Sequence, residues 1–562
     1  MFDNAGDLKM LKVKRSVLEK IFYRLVRTPG ISGTESENLS RDVIVECFYE
    51  MDYFKEHPQY LKIFPIKNDS FNRKVVAALV KGNGRFSKTV VLIGHSDVVD
   101  VQDYGKNSDV AFKPEELIKR INPDSLDPEA RKDFLSGEWV FGRGVMDMRC
   151  GLAAAMATLE TASRNLDLLK GNLLFLCVPD EENNSTGMIY ATEKLLELAR
   201  EHDLDYLACI DGEPQFPKYP NDENKYIYQG TLGKFVLMAY CVGRETHGGD
   251  PLAGLNANLI IAELTRRIEI NMDLSDYFDD VVVPPPTSLK QADTKEHYSI
   301  KTPEAAYAYY NFLTVDQSPR VLFDKVSVLA QEAITEAINK RRRETERFLK
   351  MTGQKVFSSN WIPKVFSYSK LVSMAEEDSG DLFLAHMKAW RKSWIKKTGI
   401  DQRLLALEMV REVHGFCADQ DPKIILLYVP PYYPHIKPNQ DIPRWAHALE
   451  IVNQVSAFAK SEFNEEVFVE KFFPGLCDLS YVCLQNAEDV IENIRPNMPN
   501  WGFTYELPVE TIKQLDIPVM NIGPYGKDAH KNTERLHIDY SFQVYPAMLT
   551  YAIEQLLFQP PV

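Results

Sequence analysis

Three short apolar runs, each followed closely by histidine or acidic residues, constrain the fold of this chain more than any other feature. The runs are 89–93, 173–178 and 206–210, and the polar residues that follow them are His95, Asp180 and Asp211. Runs of this kind are typical of strands that are buried on both faces of a parallel sheet. Because ligands bind at the carboxyl ends of such strands, we expect these polar residues to meet at one site.

Five segments supply side chains of the types that bind metal ions. They are 94–97, 142–147, 180–182, 211–214 and 529–530. His95 and Asp97 are separated by one residue, so both point to the same side of an extended backbone. A carboxylate behind a metal-bound imidazole fixes its orientation, and Asp97 is placed to do this for His95. Asp147 precedes an alanine-rich helix, where its two oxygens can bridge two cations, although an aspartate there more often caps the helix.

The other segments offer pairs of carboxylates and a second histidine. Glu181 and Glu182 are adjacent and point in different directions, so one can bind a metal ion while the other takes the proton of an attacking water. Asp211 and Glu213 compete for a single ligand position. His530 alone is more typical of a surface loop, and an acidic loop is commonly only solvated. The ordered set of segments nevertheless favours a metal-dependent hydrolase.

Length, charge and cysteine usage exclude several classes of protein. At 562 residues the chain exceeds what one hydrophobic core usually supports, so we expect two domains. The net charge of −15 argues against a nucleic-acid partner. Residues 1–7 lack the features of a secretory signal, and no stretch approaches the roughly 18 apolar residues of a membrane helix. Eight scattered cysteines without a Cys-x-x-Cys pair favour a cytoplasmic chain with no membrane partner.

Strands and helices alternate in the first part of the chain, which implies parallel pairing. We expect helices at 17–26, 151–169 and 191–201, with strands at 75–80, 89–93, 173–178 and 206–210. The alternation stops after Gly230 and resumes beyond Ile442. We therefore predict an α/β fold with a mostly parallel central sheet flanked by helices. Residues 1–231 and 439–562 would form this split catalytic domain, and residues 232–438 an inserted α+β lid or dimerisation domain.

As a set, the segments resemble the zinc-dependent amidohydrolase and exopeptidase family of acetylornithine deacetylase, succinyl-diaminopimelate desuccinylase, aminoacylase and carboxypeptidase G. Its first motif is similar to residues 94–99, its Gly-Arg-Gly-x-x-Asp-Met motif to 142–148, and its final Ala-His to 529–530. The family's paired glutamates match Glu181 and Glu182, and its histidine motif at the start of the inserted domain is similar to residues 246–251. Segments 473–481 and 282–287 resemble a bacterial branch of the family connected with arginine utilisation.

The resemblance implies a site with two zinc ions, for which cobalt or manganese can substitute. The implied ligands are His95, Asp147 as the bridging carboxylate, Glu182, Asp211 and His530, with Glu213 as the alternative to Asp211. Glu181 would be the general base, and His247 would donate a hydrogen bond to the oxyanion. The implied reaction is hydrolysis of an amide bond in a small amino-acid derivative or short peptide, in arginine or amino-acid catabolism, by a chain that we expect to be a homodimer.

Three departures from the family leave the substrate open. The usual Lys-Gly-Gly after Asp-Met is replaced by Arg149, Cys150 and Gly151, no arginine matches the residue that grips a substrate carboxylate near 311–313, and the inserted domain is longer than the minimal lid. Two other functions remain as alternatives. One is a non-catalytic binding or regulatory protein that retains the fold, although such a protein would be expected to lose Glu181 or a ligand. The other is a metal-dependent hydrolase of phosphate esters.

Overall fold

The segments of the chain divide between two units, each with its own sheet. The structure, a computed structural model, describes residues 11–219, 221–353, 360–395 and 400–558. The first unit consists of Met1–Leu232, Ile436–Leu484 and Glu510–Val562, and the second of Gly233–His435 and Gln485–Val509. The expected inserted domain, 232–438, has nearly the same bounds as the first segment of the second unit. Residues 485–509 also belong to the second unit, although we expected them in the catalytic domain. Residues 1–7, on which the expectation about a secretory signal depends, lie outside the described residues.

An eight-stranded sheet forms the centre of the first unit. In spatial order its strands are Leu61–Pro65, Lys74–Lys81, Asn172–Val178, Lys88–His95, Asp205–Asp211, Val519–Asn521, Lys225–Tyr228 and Val467–Glu470. Lys88–His95 lies between Asn172–Val178 and Asp205–Asp211 and runs parallel to both. The three predicted apolar runs are therefore neighbouring, buried, parallel strands whose carboxyl ends meet at one edge of the sheet. This confirms the predicted α/β fold with a mostly parallel sheet.

Helices pack against this sheet and cover its apolar side chains. The longer ones are Arg15–Val26, Glu37–Glu50, Arg149–Ser163, Thr186–His202, Pro443–Phe463 and Tyr545–Phe558. Shorter helices in the chain are Asp52–Glu56, Pro114–Arg120, Pro128–Ser136 and Val509–Leu515, of which Pro114–Arg120 and Pro128–Ser136 contact the strand Trp139–Phe141 of a small sheet. A small three-stranded sheet joins Gly526–Lys527, Arg535–His537 and Trp139–Phe141. This small sheet anchors both ends of the loop that contains His530.

One contact between a helix and the end of a strand brings two parts of the site together. Gly151 lies in the first turn of the helix Arg149–Ser163, and Gly212 directly follows the strand Asp205–Asp211. A Cβ atom added to Gly151 would lie 2.2 Å from the carbonyl oxygen of Gly212. Only glycine permits this approach of helix backbone to loop backbone. The contact brings Asp147, which precedes the helix, close to Glu213, which follows the strand.

A five-stranded sheet forms the centre of the second unit. In spatial order its strands are Thr287–Asp293, Ala305–Thr314, Gly233–Val242, Lys423–Tyr433 and Val365–Ser367. Its pairs are antiparallel except for the last, which is parallel. The longer helices of this unit are Ala257–Ile268, Pro319–Thr352, Tyr368–Ile395 and Gln402–Gly415. Among all helices in the described ranges, none has the length and apolar character that crossing a membrane requires.

Candidate metal centre

Asp147 lies between two histidines that are far apart in the sequence. Its Oδ1 is 3.3 Å from Nε2 of His95, and its Oδ2 is 3.1 Å from Nε2 of His530. His95 ends the strand Lys88–His95 and is buried, whereas the His530 side chain is 50% exposed. A carboxylate with one oxygen facing each imidazole could hold two cations, one beside each histidine.

Further carboxylates complete a group of donor atoms around each histidine. Glu213 Oε1 is 3.2 Å and Glu181 Oε2 is 4.0 Å from Nε2 of His95. On the other side, Glu182 Oε2 is 3.1 Å from Nε2 of His530. Two ligand atoms that each lie about 2.0–2.1 Å from a tetrahedral zinc ion are ~3.3–3.4 Å from each other. The separations of 3.1–3.3 Å between the histidine nitrogens and the oxygens of Asp147, Glu182 and Glu213 therefore match the spacing of ligands around a metal ion.

The charges and donor types also fit two metal ions. His95 Nε2 is buried and makes no hydrogen bond with good geometry to the described residues, although the Asp147 and Glu213 oxygens are in contact with it. Burial, with repulsion between neighbouring carboxylates, raises the pKa of Glu181 and of Glu213 well above the usual value. Imidazole and carboxylate groups are common zinc ligands. A cation would balance the buried negative charge, so the residues present fit the implied metal ions.

His530 supplies the balancing charge when it is protonated. Burial alone would lower its pKa, but the Asp147 and Glu182 carboxylates raise the pKa of His530 to about 11. A metal ion can bind this imidazole only after the proton has left. Metal binding on this side of the centre is therefore expected to release a proton and to weaken as the pH falls.

The structure brings Glu213, and not Asp211, to His95. In the described residues, two groups of side chains are close enough to hold a metal ion: His95 with Asp147 and Glu182, and His95 with Glu181 and Glu213. Asp211 belongs to neither group. It is the last residue of the strand Asp205–Asp211, in register with Ile93, and its carboxylate is buried. The sequence-based preference for Asp211 as the ligand thus differs from the observed geometry, which favours the alternative in the same segment.

Asp97 supports the loop that contains the adjacent glutamates. Its carboxylate accepts the backbone N–H of Glu181 at 3.2 Å and that of Glu182 at 3.1 Å. The carboxylate is 3.6 Å from Nδ1 of His95, whose closer partner, at 3.0 Å, is the carbonyl oxygen of Asp97. Because a carbonyl oxygen can only accept, Nδ1 donates and Nε2 remains as the nitrogen that can bind a metal ion.

A buried ion pair that the sequence did not reveal holds the backbone of Asp147. Glu534 Oε1 accepts the backbone N–H of Met146 at 3.2 Å and of Asp147 at 3.4 Å, and Glu534 Oε2 lies 2.8 Å from NH1 of Arg143. Both charged side chains are buried. Arg143 stands out in the sequence as part of the Gly-Arg-Gly motif. Its partner lies 391 residues further along the chain, where no local pattern marks it.

A second buried network fixes the start of the loop at residue 180. Arg73 NH1 is 2.6 Å from Asp180 Oδ1 and 3.1 Å from Glu37 Oε1. Glu37 also accepts the backbone N–H of Asp180 at 3.0 Å. Asp478 is another buried carboxylate of this region that sequence reasoning missed; burial raises the pKa of Asp478 well above the usual value, and the His95 charge opposes that rise. Asp180 belongs to a segment that the sequence assigned to the site, whereas Arg73, Glu37 and Asp478 were not predicted to adjoin it.

His247 belongs to the second unit and is exposed. Its Nδ1 accepts the backbone N–H of Gly249 at 3.0 Å. In the neutral ring the proton therefore lies on Nε2, which is free to donate. This tautomer is the one that an oxyanion donor requires.

Comparisons with known proteins show the family to which this chain is similar. Residues 91–555 match the sequence profile of peptidase family M20/M25/M40. Uncharacterized protein YqjN and protein RocB, both of Bacillus subtilis (strain 168), are 35% and 32% identical to this chain over 95% and 96% of its length, and each match covers 95% of the relative. A tripeptidase from Staphylococcus aureus has a similar fold, with a TM-score of 0.53 and 13% identity over 97% of this chain and 100% of that chain. At this identity the tripeptidase supports the fold alone.

Proposed function

The chain belongs to peptidase family M20/M25/M40, as its motifs predicted, and we propose that it hydrolyses an amide bond at two metal ions. The proposed ligands are His95, Asp147, Glu182, Glu213 and His530. The observation that carries this proposal is the Asp147 carboxylate, with one oxygen 3.3 Å from the first histidine and the other 3.1 Å from the second. We propose zinc as the metal because imidazole and carboxylate groups are its usual ligands, and cobalt or manganese as substitutes.

Glu181 is the proposed general base. Metal ions bound at this position would lower the pKa of a water molecule and polarise the carbonyl group of the substrate. Glu181 Oε2 is 4.0 Å from His95 Nε2, whereas the oxygens of Asp147 and Glu213 lie 3.3 and 3.2 Å from it, and this greater distance supports the role of a base over that of a ligand. Burial raises its pKa well above the usual value, and this favours proton uptake from the attacking water. As the water oxygen bonds to the carbonyl carbon and the C–N bond breaks, Glu181 passes that proton to the leaving amine.

His247 is the proposed donor to the oxyanion. Its exposed ring has Nδ1 occupied by the N–H of Gly249, which supports an Nε2–H that can donate to a substrate oxygen. One donor of this kind contributes about 10²–10³-fold to the rate. We propose that the chain is a homodimer, in which this histidine acts either within its own chain or at the partner's centre.

The proposed substrate is an N-acyl amino acid or a short peptide. The chemistry of the family supports an amide bond, and the resemblance to the arginine-utilisation branch supports a role in the catabolism of arginine or another amino acid. We propose the cytoplasm as the compartment, from the cysteine usage of the chain.

A substrate screen tests this function. Zinc- or cobalt-loaded protein is incubated with a panel of N-acyl amino acids and dipeptides, and free amine is measured. We expect at least one substrate to be cleaved by the native protein and not by Glu181→Gln, which keeps the size of the side chain and loses the base. A phosphate-ester panel is run in parallel. Cleavage of phosphate esters alone, or binding of amides without cleavage, would contradict the proposal and favour the phosphatase or the binding protein.

A further inference from the structure

A cavity in the first unit lies beside the loop that contains His530. It has a volume of about 400 Å³, and one wall is formed by residues 104–127 and the other by residues 531–533. We call it the Tyr104 cavity, after the buried side chain in its lining. Its volume falls in the range of about 300–1,000 Å³ that is common for small-molecule sites. No part of the proposed metal centre lines it, so it is a separate site.

The charged residues of the Tyr104 cavity are mostly basic. Lys106, Arg120 and Lys531 line it, against Asp127 as the one acidic residue of the lining. Asp127 accepts the backbone N–H groups of residues 129 and 130, so its charge is partly engaged at the start of a helix. Arg120 pairs with Asp109 and Lys531 pairs with Asp528, but exposed pairs of this kind contribute little, and an entering anion can compete for both cations. The lining therefore favours a negatively charged ligand.

The cavity also has apolar walls. Leu117, Ile121 and Leu126 contribute apolar side chains to the lining, and the ring of Tyr104 forms part of it. Basic groups beside apolar walls together suit a small organic anion.

Two short paths connect this lining with the metal centre. Asn532 Nδ2 donates to the carbonyl oxygen of Asp103 at 3.1 Å, and the Asp103 carboxylate lies 2.8 Å from NH2 of Arg143. The Arg143 guanidinium also lies over the Tyr104 ring, 5.1 Å from its centroid. Arg143 in turn pairs with Glu534, which accepts the backbone N–H of Asp147. A ligand that displaces the 531–533 loop or the Tyr104 ring therefore acts on the residues that hold the bridging carboxylate.

We propose that the Tyr104 cavity binds a small organic anion with one or two carboxylates, and that its occupancy changes the metal affinity of the neighbouring centre. The binding part stands independently of the proposed hydrolysis. The coupling part rests on the proposed metal centre, since it passes through Arg143 and Glu534 to Asp147. Coupling is reciprocal, so metal ions change the affinity for the anion by the same factor.

Calorimetric titration of the full-length zinc-loaded protein with succinate tests the binding. Succinamide, which has a similar size and no charge, is the ligand control. We expect saturable succinate binding with a dissociation constant of about 1 mM or lower, and at least a tenfold weaker constant in Lys106→Gln/Arg120→Gln. The matched control Lys113→Gln/Lys119→Gln removes two charges from the same region outside the cavity lining and should bind like the native protein. No saturation, equal binding of succinamide, or equal losses in both double variants would overturn the proposal.

Competition between the protein and a zinc chelator tests the coupling. Saturating succinate should change the zinc affinity of the native protein by about fivefold or more, a typical size for coupled sites. The Lys106→Gln/Arg120→Gln variant at the same succinate concentration corrects for direct chelation of zinc by succinate. An equal change in both proteins would refute the coupling. Loss of zinc binding in the absence of succinate would instead count against the metal centre, so the two failures are distinguishable.

Discussion

Replacement of Glu213 with glutamine tests which acidic residue of the fourth segment binds metal. Glu213 Oε1 is 3.2 Å from Nε2 of His95, and the amide of glutamine is a much poorer zinc ligand than a carboxylate. The group of Asp147, Glu182 and His530 is left unchanged by this substitution. We therefore expect Glu213→Gln to bind one zinc ion per chain at a zinc concentration that fills two sites in the native protein.

The change in stability follows from the number of ions bound. An ion present at about 100 times its dissociation constant stabilises the folded state by about 2.7 kcal/mol, so two ions contribute about 5.4 kcal/mol and one ion about half of that. Without metal ions, Glu213→Gln should be at least as stable as the native protein. Burial and the nearby Asp147 raise the pKa of Glu213 well above the usual value, so removal of this carboxylate relieves repulsion and should not destabilise the metal-free protein.

Mass spectrometry measures the number of zinc ions bound per chain. Denaturant unfolding with and without zinc measures the change in stability. Asp211→Asn is the matched control, since it makes the same carboxylate-to-amide change two residues away, outside both donor groups. It should retain two ions. Two zinc ions in Glu213→Gln together with one in Asp211→Asn would refute the reasoning and assign the ligand role to Asp211.

Three other outcomes are expected. Glu181→Gln should retain its zinc content and lose roughly 10²–10⁴-fold in turnover of the best substrate, because the amide cannot accept a proton; near-normal turnover would mean that another group is the base. His247→Ala should lose about 10²–10³-fold in turnover with unchanged metal content, and recovery of activity when it exchanges subunits with Glu181→Gln would show that the histidine acts across a dimer. In the second unit, burial and then the Lys423 charge lower the pKa of His414 to about 4 from an ordinary value of 6.5. The unfolded chain therefore binds a proton at this histidine more tightly than the folded chain does. Up to about 3 kcal/mol of stability, present above pH 6.5, is lost as the pH falls towards 4. His414→Phe should reduce the loss of stability measured by unfolding at pH 7 and at pH 5, and an unchanged loss would contradict the assignment to His414.

The strands and helices around the centre could be predicted because their signal is local. The run at 89–93 lies within the strand Lys88–His95, and the helix expected at 151–169 is observed at Arg149–Ser163, six residues shorter at its carboxyl end. Apolar runs and helical spacing depend only on neighbours in the sequence. The glycine-rich motif that places Asp147 before its helix also depends only on neighbouring residues.

The closer approach of Glu213 than of Asp211 to His95 could not be predicted because it depends on the path of the chain beyond the strand. Asp211 is still part of the strand, with its carbonyl oxygen accepting the N–H of Ile522 at 3.0 Å. Glu213 lies past the Gly151–Gly212 contact, which is a tertiary feature. Counting residues from the start of the strand cannot detect where the backbone turns. The pairs of Arg143 with Glu534 and of Arg73 with Glu37 and Asp180 were missed for the related reason that these partners are distant along the chain.

The two histidines of the centre differ in access to solvent, and we expect this unequal access to set an order of metal exchange. His95 is 1% exposed, whereas the His530 side chain is 50% exposed and lies in a loop. An ion bound beside His530 would have the shorter route to solvent, and a mild chelator would remove it before an ion beside His95. Refilling the emptied position with cobalt would then give a protein with two different metals in known places. The asymmetry of a single loop would thus allow spectroscopy to examine each half of the centre separately.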